Sequence, residues 1–174
     1  MIIKSMTAGL IALALVSAPA FAQQAKSSLT SSDKKFVTEA AEGGQMEVDL
    51  GELAQQKAAS DAVREFGRRM ADDHGKANRE LAQLAASKQV QLSDKPSRKA
   101  QREKDRLAKL SGAAFDREYV KLMVSDHETD VAAFRRESQA AKDPELKAWA
   151  GKTLPALEDH LRMIRQVQGQ LAKK

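Results

Sequence analysis

At 174 residues and 42% hydrophobic content, the chain has the length of one globular domain with a real core. It contains no cysteine, which excludes disulfides, thiolate metal sites, thiol nucleophiles and a lipidated cysteine behind a leader. The formal charge of +5 is mild, and no aromatics interleave with the basic residues, so nucleic-acid binding is disfavoured.

Residues 1–22 differ from the rest. A lone positive charge at Lys4, an apolar run from Ala8 to Val16 and the small-x-small triplet Ala20-Phe21-Ala22 read as a secretory signal peptide cleaved after Ala22. The run is shorter than the ~20 apolar residues a membrane-spanning helix needs, and nothing later is longer, so no transmembrane segment is expected. The mature chain then begins near Gln23 with a disordered tail at 23–30 and no lipid anchor. Its expected address is the periplasm or the medium.

From residue 31 to 174 the pattern is helical throughout. Only 4% of residues are aromatic, prolines number four, and good helix formers dominate, which predicts an all-α domain. The first long helix is expected to start at Ser31 or Ser32 as N-cap and to run to about Lys57, with Phe36, Ala40, Gly43, Glu47, Leu50 and Ala54 on its inner stripe. The second starts at Ser60 and runs to about Gln89 along Val63, Gly67, Met70, His74, Ala77, Leu81 and Leu84. Residues 90–110 break this periodicity and form a connector with a short basic helix from Ser97 to Leu110. The third long helix begins at 111–113 and runs to about Lys142 through Val120, Met123, His127 and Phe134. Asp143-Pro144 supplies an N-cap and a proline at the first helical position, where its missing N–H costs nothing. The fourth follows through Ala150, Thr153, Leu157, His160, Ile164, Val167 and Leu171, with a kink expected above Pro155.

The connections are short, long, short. Tight turns make the first and second long helices, and the third and fourth, antiparallel neighbours. The connector's helix covers about 21 Å and its extended part at most ~25 Å, enough to travel the length of the bundle. A single long crossover with a short extra helix gives a ferritin-like four-helix bundle.

All three histidines follow an aspartate: Asp73-His74, Asp126-His127 and Asp159-His160. Each falls on an inner stripe. Glu47 lies 15 residues after Ser32, His74 14 after Ser60, His127 16 after Ser111 and His160 17 after Asp143, all near mid-helix. Mid-helix is mid-height whichever way a helix runs, so Glu47, His74, His127 and His160 should share one layer. Buried polar groups need partners. One solution is a single transition-metal ion, such as Zn, Cu, Fe or Mn, held by the three imidazoles and the carboxylate. Asp73, Asp126 and Asp159 would then orient the rings as acceptors, and Met70 and Met123, one turn before a histidine, would favour copper if they ligate and are otherwise core filler. The other solution is a polar layer that fixes helix register or responds to pH without metal.

Other features carry less. Residues 95–109 hold seven basic side chains against Glu103 and Asp105. This is a solvated crossover helix first, and a weak contact for an anionic envelope surface second. The Gly43-Gly44 pair costs about 1 kcal/mol per glycine against alanine, and suggests either close approach of a neighbouring helix beside Glu47 or access to a pocket. No hydrolase-like serine constellation or phosphate loop is present. The chain reads as a binding or structural protein before an enzyme, the enzymatic alternative being a metal-dependent oxidase.

The elements Phe36-Val37, Ala40-Ala41, Gly43-Gly44, Glu47, Gly51, Ala54, Phe66, Met70-x-x-Asp73-His74, Phe115-Asp116-x-x-Tyr119, His127 and Leu154-Pro155-x-x-x-x-His160 occur in order across roughly residues 31–168. In these the chain resembles the bacterial domain-of-unknown-function family 4142, exported ferritin-like four-helix proteins. The resemblance implies a fold and an address rather than a substrate. Ferritin-like di-iron enzymes carry Glu-x-x-His pairs; here Ala71 and Leu157 stand three residues before His74 and His160, and His127 stands where a glutamate is expected. The pattern departs from a di-iron ligand set and leaves room for a mononuclear site.

Overall fold

The computed structural model describes residues 29–173. The expected signal peptide and most of the expected tail lie outside them. Five helices follow in order: α1 Ser31–Lys57, α2 Asp61–Ser87, α3 Arg98–Ala108, α4 Gly112–Ala140 and α5 Pro144–Leu171. None is long and apolar enough to cross a membrane.

The first helix is capped one residue earlier than expected. Asp33 sits three residues after Thr30, so the two close a reciprocal capping box: Thr30 Oγ1 accepts from the Asp33 N–H at 3.1 Å, and the Asp33 carboxylate accepts from the Thr30 N–H at 3.0 Å. Leu29, just before it, is already buried in the core. Asp143 caps α5 as expected, accepting from the N–H groups of Glu145 and Leu146 at 3.0 Å each, and α5 continues through Pro155.

Two buried aspartates at opposite ends fix the topology. Asp116, in the first turn of α4, accepts from the backbone N–H groups of Ala59 (3.1 Å) and Ser60 (2.9 Å) in the α1–α2 turn. Asp143, in the α4–α5 turn, receives the ammonium of Lys88 at 2.6 Å from the end of α2. So α4 starts at the end of the bundle where α1 finishes. The chain between α2 and α4 must climb the full length, as a long crossover requires. It carries α3 along the outside of α1 and α4, tied down by Lys104–Asp49 and Lys99–Asp126 at 2.8 Å each and Arg106–Glu118 at 2.7 Å. Much of the basic character of residues 95–109 is therefore matched by acids on the helices beneath. The result is an all-α ferritin-like bundle in which α1 pairs with α2, α4 with α5, and the two hairpins face each other.

Ser60 makes no side-chain cap bond, and Asp116 instead satisfies, from another helix, the two N–H groups of the turn that leads into α2. Asp116→Ala removes the acceptor of two N–H groups and should destabilise the protein by about 1–3 kcal/mol in urea unfolding. Asp116→Asn, which can satisfy one of them, should cost less.

The helices of the first hairpin touch backbone to backbone. A Cβ on Gly51 would stand 2.4 Å from the Gly67 carbonyl oxygen, and one on Gly67 only 2.7 Å from the Gly51 oxygen. Glycine at both positions lets α1 and α2 close to this distance. Apolar side chains gather in two clusters, one towards the α1–α2 turn with Leu50, Phe66, Phe115, Tyr119 and Ile164, the other towards the α4–α5 turn with Phe36, Leu81, Phe134, Leu146 and Trp149. Between them lies a polar stratum.

Candidate metal centre

Glu47 on α1, His74 on α2, His127 on α4 and His160 on α5 meet in that stratum. Their exposures are 1%, 6%, 0% and 1%. The ring centroids form a nearly equilateral triangle: His74–His127 5.7 Å, His74–His160 5.4 Å and His127–His160 5.5 Å. Phe66 roofs it, its ring edge-on to His127 at 6.1 Å and His160 at 6.5 Å.

The His127 and His160 rings are each tethered at one nitrogen by an oxygen that can only accept, which fixes where the proton sits. His127 Nδ1–H donates to the Met123 carbonyl, 3.0 Å away in its own helix. His160 Nε2–H donates to Asp73 Oδ2 at 3.0 Å, across from α5 to α2. His74 Nδ1 lies 2.9 Å from Glu47 Oε2, and His127 Nδ1 is also 3.3 Å from Glu47 Oε1. Neither Glu47 contact has the direction of a hydrogen bond, so this carboxylate is held mainly by charge. The opposite nitrogens, His74 Nε2, His127 Nε2 and His160 Nδ1, are buried and have no protein partner. Three imidazoles thus each present one unpaired nitrogen in a dry core.

The geometry suits an ion. One nitrogen from each ring lies within 4.8 Å of one from each of the others. Three imidazoles radiating in a plane from an ion at ~2.0 Å would have centroids about 5.5 Å apart, the spacing seen here. Their nitrogens would be ~3.5 Å apart, a closure that rotation about the soft Cβ–Cγ torsion supplies.

Electrostatics point the same way. Burial pushes the Glu47 carboxyl up, but the adjacent His74 and His127 rings outweigh it and lower it to about 2, so it is ionised. His74 is raised because Glu47 more than offsets its burial. Burial lowers His127, and lowers His160 to about 4 against the opposing bond from Asp73, so these two rings are neutral and fit to coordinate.

Of the aspartates beside the histidines, only Asp73 reaches a ring, and that ring is His160 rather than its neighbour in sequence. Asp126 binds Lys99 at 2.8 Å, and Asp159 binds Arg162 at 2.6 Å on the surface. Met70 and Met123 are fully buried in the apolar cluster above the triangle. Glu47 sits on the tethered side of His74 and His127, behind their Nδ1 atoms. Asp130 is a group the sequence reading missed. Burial, with Glu47 and Asp126 adding like charge, raises it to about 8. Its signal was present in the sequence, three residues after His127 and hence on the same helical face.

Among solved structures, a DUF305 fragment from Deinococcus radiodurans is similar with a TM-score of 0.72 at 17% identity, covering 83% of this chain and 99% of its own. A DUF305 protein from Streptomyces coelicolor follows with 0.68 at 14%, over 80% and 93%. CopM in its Cu(I)-bound form has 0.66 at 18%, over 79% and 96%. At these identities the likeness establishes the fold. No curated protein matches in sequence. The sequence profile described as "Domain of unknown function (DUF4142)" matches residues 18–167, most of the chain. The chain belongs to the DUF4142 family.

Proposed function

We propose that this protein is an exported bundle that binds one transition-metal ion through His74, His127 and His160, with Glu47 and Asp73 as the acceptors that orient His74 and His160. The observation that carries this reading is a set of three buried imidazoles, each with one unpaired nitrogen, packed so that a nitrogen of each lies within 4.8 Å of one from each of the others. A layer serving only helix register would be expected to pair those nitrogens with each other or with the carboxylates. Copper is the first candidate. A three-imidazole set suits it, and CopM, of the same fold, is described in Cu(I)- and Cu(II)-bound forms. Zinc is the second, completing a tetrahedron with a water. The signal-like residues 1–22 support export.

A metal-free structural layer is the competing reading, supported by the Glu47–His74 and Asp73–His160 contacts across helices. Protein purified without an affinity tag decides between them by elemental analysis and thermal unfolding. The proposal expects one equivalent of copper or zinc per chain and a rise in Tm when metal is added, both lost in the His74→Ala/His127→Ala variant. No bound metal and no shift with Cu, Zn, Fe or Mn would reject it.

A further inference from the structure

A site between two apolar clusters needs a way in, and the faces of the bundle are not equivalent. Between α1 and α4 runs a groove of about 500 Å³ with Glu39, Glu42, Asp126 and Asp130 among its walls. Behind it lies a space of about 20 Å³, room for one water-sized occupant, bordered by Glu47, His74, Asn78 and Thr153. The groove and the inner space share Ala40, Gly43, Asp130 and Phe134. The groove therefore leads to the histidine stratum through a gap flanked by Gly43 on α1 and Asp130 on α4.

The two glycines at this gap differ. A Cβ on Gly44 would stand 2.3 Å from Asn78 Oδ1, so packing explains that glycine. A Cβ on Gly43 would meet nothing within 4 Å. Packing does not ask for glycine at 43, yet the residue costs helix α1 about 1 kcal/mol against alanine. What it does is leave the gap wide. At the inner end are buried polar atoms without directed partners: both carboxylate oxygens of Glu47, and Nε2 of His74. Lys35, Lys99 and Arg136 also line the groove, and Lys99 is neutralised by Asp126. A cation moving inward thus passes from a mixed outer wall to the carboxyl group of Asp130, whose proton it displaces to solvent, and then to the ionised, more deeply buried Glu47, each oxygen replacing part of its hydration shell.

We propose that the α1–α4 groove is the cation entrance to the histidine site, with Gly43 keeping the passage open and Asp130 acting as the relay carboxylate that hands the ion to Glu47 and His74. This rests on the metal-binding reading and adds a route to it. Trp149 provides the reporter, since it is the chain's single tryptophan and borders the inner space. Metal-free full chain is mixed rapidly with Cu(II) alone and the quenching of indole fluorescence is followed. Gly43→Leu and Asp130→Asn should each slow uptake about tenfold while equilibrium affinity stays within about twofold, because on- and off-rates fall together. Gly169→Leu, at an equally open glycine near the end of α5, should keep the unsubstituted rate. Uptake by Gly43→Leu and Asp130→Asn at the unsubstituted rate would overturn the route. So would an Asp130→Asn variant that loses affinity instead of speed, because Asp130 would then belong to the final ligand set. Failure of the unsubstituted chain to take up any metal, read in the same experiment by elemental analysis, would remove the metal-binding reading as well.

Discussion

Glu47→Ala should lower the stability of the metal-free protein by about 3–5 kcal/mol, the cost of leaving buried charge partners unpaired. The carboxylate is 1% exposed and is the anion nearest to two Nδ1 groups, 2.9 Å from His74 and 3.3 Å from His127. Its charge is what raises His74 against burial. Without it, two imidazoles lose their electrostatic partner and a cavity opens beside Gly44. Glu47→Gln keeps the volume and one acceptor oxygen, so its loss should be nearer 1–3 kcal/mol. Urea unfolding in the presence of a chelator, with an unchanged m-value, measures both. In the metal-loaded protein, Glu47→Gln should weaken affinity about 10–100-fold while stoichiometry stays at one per chain, as an orienting acceptor does. An unchanged affinity would remove Glu47 from the site. A complete loss of binding would make it a ligand.

The height of the site was legible because the bundle's symmetry makes it so. Residues 14–17 positions from their N-caps land at one level in four helices of similar length, whichever direction each runs. The crossover was legible for a similar reason, since the connector is too long for a tight turn and long enough to climb the bundle. What the sequence did not show is which way the side chains face within the level. Successive residues of a helix point about 100° apart, so an aspartate beside a histidine cannot reach that histidine's ring. Asp73 therefore serves His160 on another helix, while Asp126 and Asp159 turn out to Lys99 and Arg162. The Asp-His repeat carries its chemistry through the histidines, with one aspartate used crosswise. Glu47's place behind the Nδ1 atoms follows from ring rotamers, which periodicity does not encode. The Gly43-Gly44 pair offered close approach or access as alternatives; Gly44 answers to the first, against Asn78, while a Cβ on Gly43 would meet only open space.

His127→Leu should separate the metal site from the fold. His127 is fully buried, its Nε2 has no partner, and its Nδ1–H bonds a carbonyl of its own helix. Leucine of similar volume removes an unsatisfied polar atom and its desolvation cost, so metal-free stability should change by no more than about 1 kcal/mol. Metal affinity should collapse. Structural zinc sites bind with about 10–16 kcal/mol over four ligands, so each ligand accounts for ~2.5–4 kcal/mol and its loss weakens binding by about two to three orders of magnitude. Saturating metal at ~1,000 times Kd adds about 4 kcal/mol to the unsubstituted protein, and at the same concentration this stabilisation should fall to about 0.4–1.4 kcal/mol in His127→Leu. The measurement is the metal-dependent rise in Tm, compared between the two proteins at equal free metal. A register-fixing layer predicts no metal-dependent rise in either. A three-imidazole site predicts a large rise in one and at most about a third of it in the other, with both folded to the same helical content beforehand.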